Sequence, residues 1–303
     1  MKKVVANSGN NILAYATAFF VVVIWGTTFV QTKVLINAGL CPEEIFLYRF
    51  VLAYLMIIPL AGKKLLLDSW RDEVAALLLG VTGGSLYFVT ENTALIYGYC
   101  SNVSLLVCTT PLITAFVMGA LFPKEKMKKS GLIGSFIAFT GMALVIFNGN
   151  FILKLSPLAD ALAFAACLCW TAYSVLMKYI QPRYGTMLIM RKVFGYGVLT
   201  IVPFFINNPP RIELLTEGGA IVWVNILTLG CVASMLCYTL WNFVLKRLGT
   251  VRATNFIYFN PVVTIVTSWI VLDEKITWIA ILGAILVLTG MYYIEQNREN
   301  KHQ

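Results

Sequence analysis

LGVTGGSLYFVTENTAL (residues 79–95) and LGCVASMLCYTLWNFVL (residues 229–245) are two versions of one segment. At an offset of 150, Leu79-Gly80 aligns with Leu229-Gly230, Asn92 with Asn242 and Leu95 with Leu245. The correspondence continues outward. Pro111 aligns with Pro261 at the same offset, while at 149 Glu125-Lys126, Gly134 and Thr140-Gly141-Met142 align with Glu274-Lys275, Gly283 and Thr289-Gly290-Met291. Nearer the start of each copy, Trp25 and Lys33 align with Trp170 and Lys178 at 145, so small insertions and deletions separate collinear units. The chain reads as a duplication, with units over 1–150 and 151–303.

Composition says where the duplicated unit lives. Of 303 residues, 59% are hydrophobic and 12% charged, with a mean hydropathy of +0.80; a soluble domain carries about 25% charged residues. Disorder, collagen, coiled coil and a disulfide-stapled secreted domain are excluded. A bilayer core needs roughly 20 apolar residues at 1.5 Å each, and ten stretches supply them: 13–33, 43–61, 74–98, 101–122, 131–147, 157–179, 186–206, 219–244, 251–271 and 276–294. Pro42 and Pro157 open spans and Asn207-Asn208-Pro209-Pro210 closes one. The first span is longer than a signal-peptide core and lacks a cleavage site. The expected fold is an all-α membrane protein of ten transmembrane helices.

With the N-terminus inside, the inner segments hold sixteen Lys and Arg and the outer loops only Lys33, Lys154, Arg211 and Lys275. This asymmetry places both termini in the cytoplasm. It also accounts for the net charge of +9 without nucleic acid, because the basic residues lie in short gaps rather than on one face. Five helices per unit is an odd number, so the second copy enters the membrane inverted. Inverted five-helix repeats point to a secondary transporter, in which two oppositely oriented bundles exchange open faces around a shared site.

Ile24-Trp25-Gly26-Thr27, Asn102-Val103-Ser104 leading into Thr110-Pro111-Leu112, and Glu125-Lys126 followed by Gly134 and Gly141 resemble the EamA-like family of the drug/metabolite transporter superfamily. Both halves are covered; in the second, Trp170 is followed by Thr171 where the first has Gly26, and Asp273 precedes Glu274. The resemblance implies two inverted five-helix repeats, a central cavity lined mainly by helices 1 to 4 and 6 to 9, and export or exchange of amino acids or other small polar metabolites.

The residues suggest where a solute would sit. Glu91 is the sole carboxylate deep in a span, roughly 10 Å from its outer end, and Arg49 lies at a similar depth of roughly 9 Å in the second span. An intramembrane charge is by default a functional candidate. Two roles fit. Glu91 could hold a substrate ammonium or a coupling proton while Arg49 holds a carboxylate, or the two could form a structural ion pair. Trp25 and Trp170, at matching mid-span positions, either face the cavity or pack between helices. Tyr87, Tyr173, Tyr238, Trp241, Asn242, Asn255 and Tyr258 are further substrate-binding candidates. Pro111 and Pro261, midway along their spans, would free the carbonyls of Val107 and Ile257 and give each repeat a hinge or a static bend. Gly80-x-x-x-Gly84 and Gly230-x-x-x-Ser234 permit close helix approach. Arg191 and Lys192 are expected to snorkel to headgroups, and Asp160 to sit in the first turn of its helix.

A membrane-embedded enzyme would need a reactive constellation, and neither H-E-x-x-H nor G-x-S-x-G occurs. No phosphate loop is present either, so no ATPase subunit is expected. One histidine, His302, and cysteines mostly within apolar runs leave no zinc or haem signature, and no cofactor or metal is expected. The expected partners are a small-molecule solute, the lipid bilayer and, as an open alternative, a second copy in a homodimer. The expected location is the bacterial inner membrane. A channel or receptor is the runner-up class.

Overall fold

The structure, a computed structural model, describes residues 8–97, 103, 106–123, 129–147, 156–206, 209–272 and 276–299. Asn102, Ser104, Glu125-Lys126, Lys154, Asn207-Asn208, Asp273-Glu274-Lys275 and His302 lie outside them. Every regular element among the described residues is helical. In order these are α1 (Ser8–Asn37), α2 (Pro42–Ile57), α3 (Trp70–Tyr97), α4 (Thr110–Leu121), α5 (Lys129–Phe147), α6 (Pro157–Ile180), α7 (Thr186–Ile201), α8 (Glu213–Glu217), α9 (Gly219–Leu248), α10 (Thr250–Asn255), α11 (Asn260–Leu272) and α12 (Trp278–Glu299).

Five helical stretches, Ile12–Asn37, Trp70–Tyr97, Pro157–Ile180, Thr186–Phe205 and Gly219–Leu248, are long and apolar enough to cross a bilayer. Thr110–Leu121, Gly131–Phe147 and Trp278–Ile294 are shorter apolar helices. Their outward side chains include Phe116, Phe136, Ile221 and Trp278, and α2 turns Leu55 outward in the same way. Exposed apolar groups on helices whose backbone bonds are satisfied internally are what a lipid solvent selects. The chain is an all-helical integral membrane protein.

Glycines set its closest contacts. In α5 and α12, a Cβ built on Gly141 would meet the Gly283 carbonyl oxygen at 2.5 Å, and one on Gly283 would meet that of Gly141 at the same distance. A Cβ on Gly134 would meet the Gly290 carbonyl at 2.8 Å. As α5 runs from 134 to 141 its partner runs from 290 to 283, so the two helices are antiparallel. Aligned glycines contact each other crosswise, the pattern an isologous twofold contact produces. The same reciprocity recurs elsewhere: a Cβ on Gly80 of α3 would meet Tyr196 Cβ of α7 at 2.6 Å, and one on Gly230 of α9 would meet Leu52 Cβ of α2 at 2.8 Å.

Both α3 and α9 widen into π-helical turns at corresponding places, Val81–Ser85 and Thr228–Leu236. Gly84 leaves helical dihedrals altogether (φ −132°, ψ −109°). The neighbouring Gly83 carbonyl accepts a hydrogen bond from the Tyr238 hydroxyl at 2.8 Å, a partner available only because the local ladder has opened.

The prolines depart from expectation. Neither lies midway along a continuous helix. Pro111 is the second residue of α4, after a turn at Cys108-Thr109, and Pro261 is the second residue of α11, after the 3₁₀ turn Phe256–Phe259. Proline is well placed in a first turn, where its missing N–H costs nothing. The carbonyls of Val107 and Ile257 are occupied, by the Thr110 hydroxyl and the Asn260 N–H.

Arg191 and Lys192 do not snorkel. Arg191 donates to the carbonyls of Gly62 (2.9 Å) and Lys64, and Lys192 pairs with Glu73 at 2.7 Å, tying α7 to the approach of α3. Nearby, buried Asp72 accepts from Arg183 at 2.6 Å and from the Tyr184 hydroxyl at 2.8 Å. Another ion pair, Glu44 with Arg211 at 2.7 Å, joins the start of α2 to the approach of α8. Each of these clusters links the first half to the second. Asp160 sits in the first turn of α6 as expected.

Candidate functional site: a cavity between the two halves

The two halves meet around a cavity enclosing about 600 Å³ of atom-free space, its mouth included. From the first half, α1 lines it with Trp25, Thr28 and Phe29, α2 with Arg49, and α3 with Tyr87, Phe88 and Glu91. The start of α4 adds Val107, Cys108 and Thr110. From the second half come Trp170 on α6, Tyr238 on α9, and Ile257 and Asn260 beside Pro261.

Trp25 is the hub of its aromatic wall. Its Nε1 donates to the Ala233 carbonyl at 3.0 Å, where the π-helical stretch of α9 offers a free acceptor. Its ring meets Trp170 edge-on at 5.4 Å between centroids, Tyr238 at 5.8 Å and Trp241 at 5.0 Å, while Trp170 meets Tyr87 at 5.2 Å. Such edge-to-face packing fixes ring orientation. The faces left toward the cavity suit an apolar or cationic group.

Both charges are held by neutral partners. Arg49 is 4% exposed; its Nε donates to Ser234 Oγ at 2.8 Å and its guanidinium lies 4.4 Å from the centre of the Phe88 ring. Arg49 lines the cavity, and its terminal nitrogens have no hydrogen-bond partner among the described residues. Glu91 is 7% exposed and accepts from the Tyr87 hydroxyl, one turn earlier on α3, at 2.8 Å. Among the described residues no ion pair joins Arg49 to Glu91. The two charges therefore face one hollow with separate supports. Ser234→Ala is expected to cost about 1.5–3 kcal/mol by leaving a buried charged donor unpaired, measured as a fall in unfolding free energy in mixed micelles.

Of the residues singled out by sequence, Trp25, Arg49, Tyr87, Glu91, Trp170 and Tyr238 line the cavity. Tyr173, Trp241, Asn242, Asn255 and Tyr258 are buried but do not. Tyr173 stacks 5.1 Å from Trp170 against Gly83, and Asn242 accepts from the Gln181 amide. Thr28, Phe29, Phe88, Val107, Cys108, Thr110, Ile257 and Asn260 were missed. The repeat held a signal for several of them. At the offset of 150, Val107 aligns with Ile257, Thr110 with Asn260 and Phe88 with Tyr238, and both members of each pair line the cavity. Among the described residues no group of three His, Cys, Asp or Glu side chains is placed to hold a metal ion.

A membrane-embedded helical bundle with a charged, aromatic hollow between two related halves is the architecture of a solute carrier. The chain belongs to the EamA-like transporter family, whose sequence profile matches it twice, over residues 12–147 and 157–295. An uncharacterized transporter of Archaeoglobus fulgidus is 27% identical over 280 residues, 91% of this chain and 96% of that protein. A probable amino-acid metabolite efflux pump of Escherichia coli K12 is 27% identical over 292 residues, 91% and 92% of the two chains. A solved crystal structure superposes with a TM-score of 0.75 at 16% identity, covering 94% of this chain and 98% of the other, which establishes likeness of fold.

Proposed function

We propose that this chain is a secondary-active carrier that exports or exchanges amino acids or closely related solutes across a bacterial inner membrane by alternating access. It crosses the bilayer ten times as two inverted five-helix repeats, 1–150 and 151–303, with both termini cytoplasmic. In this reading Glu91 receives a substrate ammonium or a coupling proton, Arg49 receives a carboxylate through its free terminal nitrogens, and Trp25 and Trp170 clasp the apolar part. Movement of one half against the other centres on the helix breaks before Pro111 and Pro261.

The observation that carries the proposal is the pairing of opposite charges, each held by a neutral partner, across a hollow walled by aromatic rings from both halves. A zwitterion matches that arrangement, since both of its charges find a complementary group and its side chain finds a ring face. The efflux activity named for the Escherichia coli relative supports the same class.

Purified protein in liposomes tests it. Influx of labelled neutral amino acids should saturate with concentration and accelerate when unlabelled amino acid is present on the opposite side. Flux that rises linearly and ignores the opposite side would mean a channel instead.

A further inference from the structure

Repeat partners are not treated alike by the cavity. Trp25 and Trp170, Phe88 and Tyr238, Val107 and Ile257, and Thr110 and Asn260 line it on both sides. Besides Arg49, five further residues line it from the first half alone: Thr28, Phe29, Tyr87, Glu91 and Cys108. At the offsets of 145 and 150 their counterparts are Tyr173, Ser174, Cys237, Trp241 and Tyr258. All five counterparts are 0% exposed. One half is open where the other is closed, at matching positions.

We infer that Tyr173, Ser174, Cys237, Trp241 and Tyr258 line the solute cavity of the opposite state, the one that opens on the other face of the membrane. This rests on the alternating-access reading above, in which the two repeats exchange conformations. When they exchange, each position that is packed in the second repeat takes the environment its counterpart has now. Trp170, Tyr238, Ile257 and Asn260 then stay at the site, while the five buried groups replace Thr28, Phe29, Tyr87, Glu91 and Cys108.

A second observation, independent of the alignment, points to the same groups. The Tyr173 hydroxyl and the Trp241 Nε1 are buried with no hydrogen-bond partner among the described residues. A buried polar atom left unpaired costs roughly 1–3 kcal/mol, so closing this half carries a penalty that opening relieves. Hydrophobic packing gives no reason to place a phenol and an indole N–H there, whereas a surface wetted for part of a cycle does.

The cavity also changes character. In the present state its acid is Glu91; at the same place in the exchanged state stands Trp241. The solute's cationic end thus meets a carboxylate from one face and an aromatic ring from the other, two chemically different ways of holding a cation.

Thiol accessibility tests this. Versions of the full chain keep one cysteine each, with the others replaced by serine: Cys237, Cys108, Cys167, or a Ser174→Cys or Thr28→Cys substitution. Cys167 is as buried as Cys237, but its counterpart Val22 does not line the cavity. Intact cells and inverted vesicles are treated with a membrane-impermeant maleimide, and labelled amino-acid flux is measured in the same vesicles. Cys108 and the Thr28→Cys variant mark the face to which the present cavity opens. Cys237 and the Ser174→Cys variant are expected to react from the opposite face at least about tenfold faster than Cys167, because even a minor conformer exposes them. If flux persists while both stay as protected as Cys167, or both react from the Cys108 face, this inference fails and the proposed function stands. Absence of flux together with protection overturns both.

Discussion

Leucine in place of Gly141 or Gly283 is expected to destabilise the protein strongly at the junction of the halves. A Cβ at either position would lie 2.5 Å from the facing backbone carbonyl, and backbone cannot step aside as a flexible side chain can. The helices must separate along their length, losing the close packing that holds membrane helices together. Overpacking of this kind costs about 1–3 kcal/mol, sometimes more. Unfolding in mixed micelles, followed by tryptophan fluorescence, gives the number. The crosswise contact adds a stronger requirement: because Gly141 and Gly283 face each other, the double variant should cost clearly less than the two single effects added together. Strict additivity would mean that the two glycines do not share one contact.

The other large effect is functional. Glu91→Gln keeps the side-chain shape and an oxygen to accept from Tyr87, and removes only the charge and the titratable proton. If Glu91 carries the coupling proton, uptake driven by an imposed pH gradient disappears while exchange of solute between the two sides of a vesicle survives. If it instead holds the solute ammonium, both modes weaken together, by about 10- to 100-fold for the loss of one charged hydrogen bond. Unchanged pH-driven uptake and unchanged exchange in the variant would take Glu91 out of both roles.

Much of this architecture is legible in the chain. The five long apolar helices follow from the length of their apolar runs, and the start of α2 at Pro42 and of α6 at Pro157 follows from where proline is tolerated. At prolines 111 and 261 local stereochemistry says only that a ladder bond is missing. Whether the helix bends or restarts depends on what can take the freed carbonyls, here the Thr110 hydroxyl and the Asn260 amide.

The site was harder to read, for two reasons. Depth alone leaves open whether Arg49 pairs with Glu91, whereas its hydrogen-bond partner is a serine 185 residues away, brought there by the contact of Gly230 with α2. Apolar helices also give no periodic contrast between a face toward lipid and a face toward a hollow. Phe29 carries no mark to separate it from Phe19 and Phe116, which face outward. The exposed loops told still less, because Arg183 meets Asp72 only through the tertiary fold.

The substitution of Trp241 for Glu91 between the copies reaches beyond geometry. A duplicated machine whose twin parts were chemically alike would grip its cargo equally from either side of the membrane. In the proposed cycle one approach would offer the Glu91 carboxylate and the other a polarisable ring, so the dissociation constants on the two sides need not match. For a carrier running without an external energy source, detailed balance then requires the ratio of the two constants to equal the ratio between the conformational equilibria of the loaded and the empty protein, so any asymmetry of grip reappears as solute shifting the balance of shapes.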